Sequence, residues 1–159
     1  MITKVNSDKQ KAESLKKMAE ITLERLDKTE MDEYPSNTLL DYYDAIHKLL
    51  EALTLKEGIK TKGEGAHQEL IDYIAKKQYI DEQSRQFLQQ MRDYRNRISY
   101  EGFIIHKNYI KLNKEKIQKI IKLISHQLKW NDDVFGWHGC ESPSAVEKKK
   151  DLLEFEMEK

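Results

Sequence analysis

One cysteine, two prolines and six glycines occur among 159 residues, and 28 acidic side chains cancel 28 basic ones. Each scarcity excludes something. A lone Cys140 cannot build an internal disulfide framework, and it suits a reducing compartment. With nearby His138 it supplies two zinc ligands at most, and no CxxC or HxxxH accompanies them, so no metal and no cofactor are expected. Few prolines and glycines, beside abundant Lys, Glu, Leu and Ile, exclude a strand-and-turn architecture and favour long helices. Balanced charge gives no global attraction to nucleic acid, so any such binding must come from a local patch. No apolar run approaches the roughly 20 residues that span a bilayer. The segment from Met1 to Lys11 has no apolar signal core, and a soluble cytoplasmic protein without membrane contact is expected.

The apolar periodicity predicts an all-α, antiparallel, up-and-down bundle of about five helices over residues 1–130, followed by a C-terminal extension over 131–159. The first helix is expected from a Ser7 cap, with Ala12, Leu15, Met18, Ala19, Thr22 and Leu26 inward. Pro35 breaks the pattern, and Asn37 is read as the cap of a second helix that Gly58 ends. Its inward stripe is Leu39, Tyr42 or Tyr43, Ile46, Leu49 or Leu50, and Leu53. "IKTKGEGAHQ" reads as a loop and Gln68–Lys77 as a shorter helix. Asp81 caps a fourth helix ending at Gly102, with Ser84, Phe87 or Leu88, Met91, Tyr94 or Arg95, and Ile98 inward. "FIIHKNYIKL" reads as a connector, and Asn113 opens a fifth helix with Ile117, Ile120, Ile121, Ile124 and Leu128 on one face. Beyond Trp130 a short helix and a frayed tail are both open readings.

The anomaly is "MRDYRNRISYEGF", residues 91–103. Arg95 follows Met91 by four residues and precedes Ile98 by three, which sets it inside an apolar stripe. A guanidinium there needs partners. Pairing with Asp41, Asp44 or Glu51 of the second helix is one explanation. Helical spacing also puts Arg92, Arg95 and Ser99 on one face, where they can line a small phosphate-binding site.

"RNRISYEG", together with "YPSNTLLDYYDAIHKLLEALTLKEGIKTKGEGAHQELIDYI", resembles the HEPN superfamily over roughly residues 8–128. That family's motif is an arginine, often followed by a polar residue such as asparagine, with a histidine a few positions on. Arg95 and Asn96 match its opening, and Tyr100 stands where the histidine of the R-x4-H form would be. The resemblance implies a homodimeric helical bundle that binds RNA or a nucleotide. It also implies either a metal-independent ribonuclease, which can be the toxin-like partner of a minimal nucleotidyltransferase, or a catalytically silent module that binds a nucleotidyltransferase or nucleotide. Arg95 would then hold phosphate charge, Asn96 would orient it, and Tyr100 would donate a hydrogen bond or act as a weak acid or base. Tyrosine titrates about three and a half units above histidine, which makes it a poor base at neutral pH. The tyrosine modified in the toxin branch would fall at Gly102, so that modification does not transfer. Positions 95 and 100 lie about 140° apart on an ideal helix, so they can act together only if the helix unwinds or two copies pair.

Weaker candidates are His47, read as half-buried or on the surface, His67, read as a cap, and His106, a distant substitute for the missing base. Lys56, Lys60, Lys62, Lys76 and Lys77 can contact an RNA backbone, though a solvated face is the default. Tyr42, Tyr43 and Tyr73 can stack on bases, though core or interface positions are the commoner use.

Overall fold

The computed structural model describes residues 1–134. The all-α expectation holds. Five helices carry the chain: α1 (Lys9–Asp27), α2 (Pro35–Lys56), α3 (Ala66–Lys76), α4 (Glu82–Glu101) and α5 (Tyr109–Val134). Two short strands, β1 (Ile2–Lys4) and β2 (Ile59–Thr61), pair antiparallel, with Thr3 opposite Lys60. Neither is announced by the sequence, because three residues are too few to display a period of two. Helix α5 runs on past Trp130 to Val134. Cys140, His138 and the tail readings lie outside the described residues.

The centre of the bundle is α2, against which α1, α3, α4, α5 and β2 all pack. A helix surrounded in this way buries more than one stripe. Hence Tyr42 and Tyr43 are both buried, as are Leu49 and Leu50, where periodicity offered one of each pair. Pro35 sits in the first turn of α2 and Tyr34 is its cap residue, so the helix begins ahead of the expected Asn37 cap. Proline tolerates that position because the first helical N–H has no intrahelical acceptor to lose. Gly58 follows the end of α2 in a left-handed conformation, φ 74°, and a Cβ there would stand 2.8 Å from the Val5 carbonyl oxygen. The Val5 N–H in turn donates to the Gly58 carbonyl at 2.8 Å, which ties the end of α2 to the strand pair.

The lesser helices follow their patterns with local corrections. Asp8, not Ser7, caps α1 by accepting the Lys11 N–H at 2.9 Å. Ala12, Ala19 and Leu26 form its buried seam, whereas Met18 is 49 % exposed against expectation. Steps of seven residues hold that seam on one line, and Met18 falls outside it. Asp81 caps α4 as expected, accepting the Ser84 N–H at 2.8 Å. Gly102, φ 67°, ends that helix in the left-handed region. Ser84, Leu88 and Met91 are buried, and Phe87, Tyr94 and Ile98 pack partly against the core. Helix α5 starts at Tyr109 rather than Asn113, whose amide instead donates back to the Tyr109 carbonyl at 2.8 Å. Ile110 in that added turn is fully buried, and Ile117, Ile120, Ile124 and Leu128 continue the inward line. Among the described residues no helix is long and apolar enough to cross a membrane.

Candidate functional site

Helix α3 starts two residues before the expected Gln68, with Gly65 as a left-handed cap residue, φ 76°. This small shift moves His67 out of the loop and into the first helical turn. It is no cap. Its imidazole faces α2 and stacks on His47, with ring centroids 3.9 Å apart and planes 19° from parallel. Tyr43 stands beside both rings, and its hydroxyl lies 3.1 Å from His67 Nδ1. One turn further along α2, Glu51 Oε1 is 2.8 Å from His47 Nδ1. Tyr43, His47 and Glu51 follow one another at intervals of four, so one face of α2 presents all three.

Helix α4 supplies the opposite wall. Arg95 and Ser99 line a cleft of about 260 Å³ together with Leu40, Asp41, Tyr43, Asp44, His47 and His67. Arg95 is half-buried, and its Nη1 donates to Asn96 Oδ1 at 3.0 Å. No acid of α2 neutralises it. Asp41 pairs with Arg25 at 2.7 Å, Asp44 with Lys48 at 2.5 Å and Glu51 with His47. Arg92 lies one turn earlier, donating through Nε to Gln89 at 2.9 Å, and contributes charge rather than lining.

The electrostatics follow from that placement. Burial, then His47, Arg95 and Arg92 push the His67 imidazole down to about 4, against a weaker upward pull from Glu51. His67 is therefore neutral at neutral pH. Burial raises the Tyr43 hydroxyl to about 12, with Arg92 and Arg95 opposing, so it keeps its proton. The hydrogen bond from His47 holds the Glu51 carboxyl below its usual range, with burial opposing. The cleft thus combines a guanidinium that no carboxylate among the described residues pairs with, two hydroxyls, two imidazoles, and the carboxylates of Asp41 and Asp44, which Arg25 and Lys48 neutralise. Those groups suit an anion of phosphate size.

Of the residues singled out in the sequence, Arg95, Asn96 and Ser99 come together. Tyr100 does not join them. It is 78 % exposed and absent from the cleft lining, as its rotation along α4 requires. His106 is exposed in the α4–α5 connection, where its Nδ1 accepts the Asn108 N–H at 3.1 Å. Lys56 pairs with Glu13 and keeps its side chain 5 % exposed, so it is no backbone contact for RNA. Tyr42 and Tyr43 are buried, and Tyr73 donates to Glu57, which fits the core and interface reading over base stacking. The pairing of the two histidines is not legible in the sequence. The spacing 43, 47, 51 was visible, but nothing local announces that residue 67 returns to that face.

Among the described residues no group of three or more His, Cys, Asp or Glu could hold a metal. Fold and site together define a five-helix bundle with a small cleft walled by arginine, serine and two histidines. No family model, curated protein or solved structure matches the chain.

Proposed function

We propose that this protein is a HEPN-like helical bundle that binds RNA, or cleaves it without metal, at the α2–α3–α4 cleft. The observation that carries this reading is Arg95, without a carboxylate partner among the described residues, beside Ser99 and the His47–His67 pair in one cleft. In it Arg95 holds a phosphate oxygen, Asn96 fixes the guanidinium through its 3.0 Å hydrogen bond, Ser99 adds a hydroxyl, and Arg92 adds field. Tyr100 reaches a phosphate only if a second copy brings its α4 end to this cleft, which makes the homodimer part of the same reading. The toxin-like role and the cytoplasmic setting belong to it too.

A second reading is a catalytically silent module that docks a minimal nucleotidyltransferase. The exposed Tyr100, Ile104 and Leu112 around the α4–α5 junction favour it, being 78, 80 and 76 % exposed. One experiment separates the two. Labelled single-stranded RNA is incubated with the protein and EDTA, beside Arg95→Ala and Tyr100→Phe. Cleavage that survives chelation and disappears in Arg95→Ala supports the nuclease. Neither cleavage nor RNA binding by a folded wild-type protein leaves the docking module.

A further inference from the structure

Resting on that reading, the stacked imidazoles raise a separate question. The rings lie 3.9 Å apart, and burial, His47 and the two arginines hold His67 neutral. What would such a pair respond to?

We propose that the His47–His67 pair is a proton-linked half of the phosphodiester site: a phosphate diester entering beside Arg95 draws one proton from solvent onto the pair. The charges facing the rings support this. From α2 come Glu51, on His47 Nδ1, and Asp41 and Asp44, each committed to a basic partner of its own. From α4 come the cations of Arg92 and Arg95, and from α1 Lys11, which acts on Glu51. Tyr43 remains a neutral hydroxyl against His67. Apart from Glu51, the committed field around the pair is positive, and it holds His67 neutral with a value of about 4. A diester anion in the 260 Å³ cleft reverses the sign of that field and offers the imidazole N–H groups an acceptor. Glu51 anchors one nitrogen of His47 and Tyr43 meets one nitrogen of His67, which leaves the remaining nitrogen of each ring for the ligand or the proton. No covalent bond changes, and the proton returns to solvent when the anion leaves.

Linkage makes this measurable. If the anion raises the proton affinity of the pair, protonation tightens the anion by the same factor. The probe is thymidylyl-(3′→5′)-thymidine, a diester that lacks the 2′-hydroxyl needed for cleavage and has no group titrating between pH 5 and 8. Binding to the full chain is followed by NMR of the imidazole carbon-bound protons from pH 5.5 to 7.5. The expected result is affinity about tenfold higher at pH 5.5 than at pH 7.5, which corresponds to the bound anion returning His67 from about 4 to about its ordinary 6.5. His67 should also titrate at higher pH when the site is saturated. In His67→Gln and His47→Gln, with folding verified by circular dichroism, the ratio of affinities at pH 5.5 and 7.5 should fall toward one, whatever the change in absolute affinity. Equal affinity at both pH values, or unchanged pH dependence in both variants, overturns the proposal but leaves an Arg95-dependent RNA site standing. No binding at either pH overturns both. Proton-linked dinucleotide binding without binding of single-stranded RNA keeps this site and discards RNA as its ligand.

Discussion

Acid should weaken this fold through one ring. His67 has an ordinary value of 6.5 in the unfolded chain and about 4 in the folded one. The folded form of this base therefore takes up its proton later than the unfolded form. Below pH 6.5 the unfolded state gains protons that the folded state refuses, so stability is full above 6.5 and falls as pH drops toward 4. The interval from 6.5 to about 4 converts to a ceiling of about 3.4 kcal/mol at 1.36 kcal/mol per unit. The ring is half-buried and solvent screens the cations that oppose it, so about 1 to 2 kcal/mol is the realistic loss. Urea unfolding followed by circular dichroism at pH 7.5 and 4.5 measures it. Carboxylates also begin to titrate at the lower pH, so the informative quantity is the difference between wild type and His67→Gln. Wild type should lose about 1 to 2 kcal/mol more than the variant. Equal losses would refute the claim that the packed cleft holds this histidine neutral.

Arg95→Ala should keep stability within about 0.5 kcal/mol of wild type, because no carboxylate is left unpaired, and should raise the His67 titration in NMR. A loss above about 2 kcal/mol would reveal a structural role instead. Gly58→Ala should cost about 2 to 3 kcal/mol, since it combines left-handed backbone with a Cβ 2.8 Å from the Val5 carbonyl. Gly102→Ala, equally left-handed but facing open space, should cost about 1 kcal/mol, so the order of the two urea midpoints checks the clash. Asp81→Ala should cost about 1 kcal/mol through the lost hydrogen bond to the Ser84 N–H, an effect that Asp81→Ser should largely restore.

Much of the bundle was legible along the chain because helix signals are local. A side chain accepting from the N–H three residues on identifies Asp81 as a cap, and a glycine that can turn left-handed ends α4 at Gly102. The i, i+3, i+4 repeat picks out Ile117, Ile120, Ile124 and Leu128 without reference to anything else in the fold. Local signals fail where packing overrides them. Burial of Ile110 draws α5 back to Tyr109, and the short β1–β2 ladder depends on a partner nearly sixty residues away.

The candidate site divides along the same line. The sequence alone determined that Arg92, Arg95 and Ser99 share one face of α4 and that Tyr100 does not, since both follow from 100° of rotation per residue. It likewise determined that Tyr43, His47 and Glu51 align along α2. Only the tertiary structure decided that no acid of α2 pairs with Arg95, because Asp41, Asp44 and Glu51 are each held by another partner. Only the tertiary structure laid His67 on His47, since their contact depends on the path of the α2–α3 connection and on Gly65 starting α3 early. A helix's own rotation is written in consecutive residues, whereas the charge balance of a cleft is set by which faces the bundle brings together.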